Sequence, residues 1–383
     1  MATSKSLKVG LVLDDTLDTP DGIQQYVIAI GEWLRTQGHD VHYLVGQSSR
    51  SDIANIHSLS RNMKVRFNGN RLSMPLPTSR RRLKQFLDDQ RFDVIHVQVP
   101  YSPYMAHRLI LALSPTTAVI GTFHILPYGK IVTLGAKALG RWSKQSLKRF
   151  DQMLAVSAAA ADFAKSSYKV DPIVLPNVVD FERFSTAPKI AKYNDDKLNI
   201  LFLGRLVPRK GCQTLLSAIN LLKNDAELPK FRVIICGKGP LLDKLQKYSQ
   251  DNQLQSMVEF VGFVSEADKP SYYASADISV FPSSGGESFG IVLLEAMASG
   301  QSAVLAGDNP GYRSVMSDQP ELLFKPLSEQ ALADKIRKLL LDEVKRQQLA
   351  NWGRAFTADF DTAKIGNKLI YIYAQALRNR RQQ

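Results

Sequence analysis

Leu198-Asn199-Ile200-Leu201-Phe202-Leu203-Gly204-Arg205-Leu206-Val207-Pro208-Arg209-Lys210-Gly211 is a near-continuous apolar run that breaks into a turn framed by two glycines and carrying three cations. Such a run reads as a strand buried on both faces, the kind found in parallel sheets covered by helices. The amphipathic stretch Gln213 to Lys223 follows at once, so the unit is strand, turn, helix. The alternation continues through Phe231 to Cys236, Val258 to Val261, Asp277 to Phe281, Ala303 to Ala306 and Leu322 to Phe324, with another helical pattern at Pro240 to Gln250. An earlier series runs through Leu7 to Leu13, Val41 to Val45, Asp93 to Val97, Ala118 to Phe123, Gln152 to Val156 and Ile173 to Leu175. The expected fold class is α/β, with two doubly wound domains in tandem facing a cleft, and ligands gathered at the carboxyl ends of the strands.

The length of 383 residues exceeds one ordinary core. A polar stretch from Phe184 to Lys197, with Pro188 and the pair Asp195-Asp196, marks the expected joint. The domains are therefore set at 1–190 and 191–362, and a C-terminal helix at 363–383 is expected to pack back on the first. No apolar run approaches the roughly 20 residues that span a bilayer, and Met1 to Lys8 lacks the apolar core of a signal peptide. A cytoplasmic location follows. Cys212 and Cys236 are too few for a disulfide framework or a zinc cluster. The net charge of +13 is concentrated in the first half, where residues 1–195 carry 25 Lys and Arg against 16 Asp and Glu. Residues 61–91 alone hold nine basic and two acidic groups, a field that attracts nucleic acid, anionic lipid or a phosphorylated substrate.

Two carboxylates, Glu287 and Glu295, bracket Ser288-Phe289-Gly290-Ile291-Val292-Leu293-Leu294, a glycine turn leading into an apolar helix. A carboxylate inside the run Ile291 to Met297 is costly to bury without a polar partner, and a bound ligand is the simplest candidate for Glu295. Eight helical positions span roughly 12 Å, so the pair could touch opposite ends of a molecule the size of a sugar nucleotide. Backbone N–H groups near Ser288 to Ile291 suit a diphosphate. Arg205 and Lys210 could neutralise its growing charge without a metal ion.

The turn Gly204-Arg205 to Lys210-Gly211, followed about eighty residues later by Glu287 and Glu295, resembles the family 4 retaining glycosyltransferases of GT-B architecture, over essentially the whole chain. The resemblance implies that Arg205 and Lys210 hold the diphosphate of a nucleoside diphosphate sugar, with Glu287 on the sugar hydroxyls and Glu295 on the ribose. The backbone of Phe289 and Gly290 would complete the phosphate cradle. It implies no cofactor and no metal. In the first domain Gly22 stands where the family has the second of two glycines, with Asp21 in place of the first, and Asp21 is suited to cap the helix that follows. His124, closing Ala118 to Phe123, falls where relatives place a histidine near the donor sugar and the attacking hydroxyl. Asn177 matches a family asparagine, though Val178 replaces the glycine after it, and reads as mainly structural.

One branch is closer still, the phosphatidylinositol mannosyltransferases of actinobacterial type, through Gly22-Ile23-Gln24, Asn68-Gly69 with Arg71-Leu72, Gly121-Thr122-Phe123-His124 and Gly285 to Gly290. By that similarity Gln24 and Arg71 would bind the acceptor head group, Arg71 on its phosphate. The segment Thr78 to Leu87 reads as a helix with Leu83, Phe86 and Leu87 on one face and Arg80, Arg81, Arg82 and Lys84 around the rest. Such a helix can lie on the anionic inner face of the plasma membrane or simply cover a core. The expected activity is metal-independent transfer of a hexose, best mannose from GDP-mannose, to an anionic lipid such as phosphatidylinositol. A UDP-sugar enzyme with another lipid or a soluble acceptor is the nearest alternative, since residues around Gly237 to Pro240 and Gly262 to Val264 do not separate guanine from uracil. Nucleic-acid binding is disfavoured, because the cations lack interleaved aromatic residues and the glutamates would have no role.

Overall fold

The computed structural model describes residues 6–19, 21–67, 70–126, 139–140 and 143–382, with backbone alone at 64–67, 70–72 and 74. The chain divides into two compact units, Met1–Val178 with Thr362–Gln383, and Val179–Asp361. The first contains β1 (Lys8–Leu13), β2 (Asp40–Val45), β3 (Ile56–Ser58), β4 (Asn62–Phe67), β5 (Asn70–Pro75), β6 (Val94–Gln98), β7 (Ala118–Phe123), β8 (Gln152–Ala155) and β9 (Ile173–Val174). Its main sheet is parallel in the order β3-β2-β1-β6-β7-β8-β9, while β4 and β5 pair only with each other. The second holds β10 (Leu198–Leu203), β11 (Phe231–Cys236), β12 (Val258–Gly262), β13 (Ile278–Phe281), β14 (Ala303–Gly307) and β15 (Leu323–Phe324), parallel in the order β12-β11-β10-β13-β14-β15. Each unit is thus a doubly wound, Rossmann-like α/β domain.

Side-chain alternation along the strands splits the first unit's core. Val9 and Leu11 of β1 pack with Tyr26, Val27, Ile30 and Leu34 of the helix Gly22–Thr36 and with Ile365, Leu369 and Tyr373 of the helix Thr362–Gln382. Val12 of β1 and Ile95 of β6 pack on the opposite face with Leu83 and Leu87 of the helix Arg80–Gln90 and with Met105 and Leu109 of the helix Met105–Ala112. In the second unit Leu215, Leu216 and Ile219 are buried along the helix Cys212–Leu222, and Ile200, Leu201 and Phe202 are buried in β10.

The division between units falls earlier than the joint expected at 190/191. Val178 packs in the first unit's core, whereas the backbone N–H of Val179 donates to Phe360 O at 3.0 Å in the second. The polar stretch mistaken for a linker is surface of the second unit. Phe184 is buried there against the Tyr273 ring, Asp195 pairs with Arg232, and Asp196 meets Lys230 at 3.0 Å. The C-terminal helix is seated on the first unit, where Tyr373 Oη lies 2.7 Å from His96 Nδ1 and Arg380 meets Asp151 at 2.7 Å. Among the described residues no helix is long and apolar enough to cross a membrane.

Candidate functional site

In the second unit the chain lays down β10, β11 and β12 in one direction and then returns to place β13 on the other side of β10. The loops leaving β10 and β13 therefore diverge and open a crevice at their carboxyl ends. Both motifs are delivered there. The loop after β10 brings Arg205, Arg209 and Lys210, and the loop after β13 brings Ser283 and Glu287. Gly211 closes the cationic turn with φ +74°, and a Cβ there would come within 2.1 Å of Pro282 O, so only glycine lets the two loops approach.

Glu287 Oε1 gathers three partners: Arg209 Nη1 at 2.6 Å, Lys210 Nζ at 2.9 Å and Ser283 Oγ at 2.8 Å. Burial alone would raise its pKa, but Lys210 and Arg209 outweigh that and, with hydrogen bonds from Lys210 and Ser283, hold the carboxyl down at about 2. Lys210 is pulled below the usual lysine range by burial and by Arg209 and Arg205, with Glu287 opposing. Arg205 is half-buried at the end of β10. Two cations on one carboxylate, with Arg205 close enough to act on Lys210, leave a net positive cradle, which suits a diphosphate. Arg209 and Ser283 are the residues that spacing alone did not single out. Arg209 is visible in sequence only as a third cation of the turn, and nothing local marks Ser283.

Glu287 precedes the helix, which runs Ile291–Ala298 behind Gly290 at φ +116°. The two carboxylates are therefore not separated by eight helical positions, and the 12 Å ruler does not apply. A Cβ on Gly290 would meet Tyr312 Cδ1 at 2.7 Å, while the side chain of Phe289 is buried, 6.0 Å from the Phe360 ring. Only the backbone of Phe289 and Gly290 is left to face a ligand. Glu295 is buried, and the polar partners it needs come from the protein itself, where a ligand is the simplest candidate from sequence. Lys269 Nζ meets its Oε1 at 2.6 Å, and Tyr273 Oη donates to Oε2 at 3.2 Å. Burial alone would lower Lys269, but Glu295 and Glu266 raise it and keep it protonated. Lys269 lies on a separate helix, Lys269–Ala274, and no spacing rule relates it to the Glu287 and Glu295 pair.

The first unit repeats the topology, with its switch between β1 and β6. His124 follows β7, 5% exposed, with Nε2 2.6 Å from Gln98 Oε1 and its ring 4.9 Å from Tyr26. A carbonyl oxygen only accepts, so this bond assigns the proton to Nε2 and leaves Nδ1 as an acceptor. Burial pushes the pKa down to about 3, and His96 adds to it, so the ring is neutral. Gly22 opens the helix Gly22–Thr36 and is exposed, but Asp21 at its N-cap makes no side-chain cap bond. Gln24 is buried and donates to Thr16 O at 3.1 Å. Asp14 and Asp15, directly after β1, are two further carboxylates that no motif in the sequence marks. Asp14 Oδ2 accepts from Ser102 Oγ at 2.5 Å and Oδ1 from Ala106 N at 2.8 Å, and burial raises both carboxyls to about 6. Their signal was two adjacent carboxylates at a strand end. Asn177 is buried, in keeping with a structural role.

Arg71 lies in β5, and its side chain is outside the described residues, as are Asn68 and Gly69. Arg80, Arg81, Arg82 and Lys84 are exposed on the helix Arg80–Gln90, whose Leu83 and Leu87 are sunk in the core. That helix covers a core with one face and leaves its cations to solvent with the other. Ser79, at its N-cap, makes no side-chain cap bond.

Comparison with known proteins matches residues 20–183 to Glycosyltransferase Family 4 and residues 184–356 to Glycosyl transferases group 1. A phosphatidyl-myo-inositol mannosyltransferase of Mycobacterium tuberculosis is 30% identical over 96% of this chain and 96% of its own. A GDP-mannose-dependent alpha-(1-6)-phosphatidylinositol monomannoside mannosyltransferase of the same organism is 24% identical over 94% of this chain and 97% of its own. Among solved structures, a glycosyltransferase from Rickettsia africae superposes with a TM-score of 0.77 at 19% identity, covering 98% of this chain and 100% of that one, a likeness of fold.

Proposed function

The chain belongs to the family 4 glycosyltransferases, and on that premise we propose that it moves mannose from GDP-mannose to an inositol hydroxyl of phosphatidylinositol, with retention, at the anionic inner face of a membrane. The observation that carries the donor half is the cluster of Glu287, Arg209, Lys210 and Ser283 at the topological switch of the second unit. An ionised Glu287 orients Lys210 and Arg209 before the donor arrives. The diphosphate then meets positive charge already fixed in place, so little reorganisation is left for the transition state. Arg205 and Lys210 take the charge that grows on the leaving phosphate, and no metal is required in this reading. Glu287 keeps acceptor capacity for sugar hydroxyls, and the Glu295 and Lys269 pair offers both an acceptor and a donor to the ribose.

On the acceptor side, neutral His124 presents Nδ1 to a hydroxyl, and that hydroxyl bonds to the sugar on the face from which the diphosphate departs, the leaving phosphate oxygen taking its proton. The inositol phosphate falls to Gln24 and Arg71. Peripheral attachment through Arg80, Arg81, Arg82 and Lys84 brings the enzyme to its lipid. Incubation with radiolabelled GDP-mannose and phosphatidylinositol vesicles should give a labelled lipid whose mass equals phosphatidylinositol plus one hexose. Calorimetric titration with GDP, UDP and ADP should favour GDP. Label entering lipid only from a UDP-sugar, or equal weak binding of all three nucleotides, would overturn the donor assignment.

A further inference from the structure

Gln98, the last residue of β6, is fully buried, and the two ends of its amide fare differently. Oε1 accepts from His124 Nε2 at 2.6 Å, whereas Nε2 is buried with no hydrogen-bond partner among the described residues. An orphaned buried donor is destabilising, and packing alone would be served better by an apolar side chain of the same length. The next residue is also held in a costly state. Val99 has φ +59°, in the left-handed region that β-branched residues avoid, while its N–H donates to Thr122 O and its C=O accepts from Ser102 N, each at 3.0 Å. An orphaned amide and a strained backbone thus adjoin at one contact, the bond to His124.

The chemistry of the acceptor on His124 matters as much as its place. A carboxylate beside Nε2–H would favour the imidazolium, as where a histidine has to take up a proton. An amide carbonyl fixes the tautomer and the ring plane without adding charge. The other polar groups around the ring in the first unit are neutral as well. Tyr26, on the helix Gly22–Thr36, stands edge-on to it at 4.9 Å, and burial pushes its phenol up. His96, two residues before Gln98 in β6, is pushed down by burial to about 3, with its ring nitrogens 2.7 Å from Thr122 Oγ1 of β7 and from Tyr373 Oη of the C-terminal helix. Burial raises the Tyr373 phenol too. Burial first and neutral His96 second are what shift His124 among the described residues; no carboxylate or cation does so.

We propose that Gln98 is a positioning residue: its carbonyl keeps the His124 proton on Nε2, so that Nδ1 stays an acceptor that aims the attacking hydroxyl and the ring never takes up the reaction's proton. The inference rests on the reading of His124 as the residue that meets the acceptor hydroxyl. In the transfer the hydroxyl oxygen bonds to the anomeric carbon, the bond from that carbon to the diphosphate breaks, and the hydroxyl proton ends on the departing phosphate oxygen. His124 leaves the step in the form in which it entered.

Nitrogen NMR of the histidine-labelled full chain, with His124→Gln to assign the signal, should show the Nε2–H tautomer at neutral pH. A proton on Nδ1 overturns the inference. In transfer from GDP-mannose to a short-chain, water-soluble phosphatidylinositol, the wild-type rate should show no limb near 6.5, the ordinary histidine value, over about pH 5 to 8. Gln98→Glu should gain an acid limb, because an imidazolium donates from both nitrogens. It should lose roughly tenfold to a hundredfold in kcat at the acid end and recover at the alkaline end, where Nδ1 again accepts. Gln98→Met supplies no acceptor and should lose a similar factor at every pH, with KM for GDP-mannose unchanged. A side chain that only fills space would move the urea midpoint and leave the shape of the pH profile alone. Wild-type kcat in Gln98→Met, a Gln98→Glu profile without the new limb, or a wild-type limb near 6.5 would each overturn the inference, and the wild-type spectrum and profile decide it even where a variant does not fold. Transfer to another acceptor and none to phosphatidylinositol would sink the acceptor reading instead, while the same profiles on that acceptor still decide the role of Gln98.

Discussion

Glu287 shows how one side chain can be decided by its neighbours. Its carboxyl ionises at about 2 in the fold, below the 4.5 of the free group. Ionised Glu287 therefore contributes stability that is fully present above pH 4.5 and lost as the pH falls toward 2, roughly 3 kcal/mol in all. Urea midpoints of Glu287→Gln measured between those limits should show a shallower loss with acid than wild type, and an equal slope would mean that Arg209 and Lys210 do not hold the carboxylate. Turnover should fall at the same time, because the cations lose the group that orients them. Lys269 is tested differently. Lys269→Met leaves Glu295 buried without its cation, a loss on the order of 3 to 5 kcal/mol. Lys269→Met with Glu295→Leu should regain most of the thermal midpoint without regaining nucleotide affinity. Recovery of both would show that the pair serves the fold alone. The sequence marked Glu287, Glu295, Arg205 and Lys210 because their motif is local. It could not show Lys269 or Ser283, whose relation to those groups exists only after strands and helices have packed.

Among the elements, the helix Arg80–Gln90 separates two jobs on two faces. Leu83 and Leu87 fasten it to the core, so Leu83→Ala should cost about 2 to 5 kcal/mol of stability in chemical unfolding. Replacing Arg80, Arg81 and Arg82 with Ser should leave circular dichroism and urea midpoint unchanged. Each cation near an anionic surface is worth about 1 kcal/mol, so the triple variant should bind phosphatidylglycerol vesicles roughly a hundredfold more weakly in low salt, with less difference in high salt. Unchanged vesicle affinity would remove this helix from the membrane contact. The twelve strands expected from apolar runs are all present to within a residue at either end, because a strand buried on both faces is written as an uninterrupted run of Val, Ile and Leu. The β4–β5 hairpin escaped that reading. Its alternation of Met63, Val65 and Phe67 with Lys64 and Arg66 is the pattern of a half-exposed strand, whereas the stretch is read above for its charge and for Arg71 rather than for strands.

For the whole molecule, the C-terminal helix Thr362–Gln382 matters most. It covers Val9, Leu11, Tyr26 and Ile30 of the first unit, Gly366 lies against the Trp33 ring, and Arg380 reaches Asp151. A chain ended after Asp361 should expose that apolar face, lowering and broadening the first unit's calorimetric transition while the second unit still binds GDP. A single unshifted transition would mean that the helix contributes nothing to the first unit. What the sequence determined by itself was the twelve strands written as apolar runs, the two-unit α/β plan and the motif residues of the donor site, because periodicity and motif spacing are properties of neighbouring positions. Only the tertiary structure decided where the chain passes from one unit to the other and which cation meets which carboxylate. Those depend on residues far apart in the chain and on burial that sets the charge of each group.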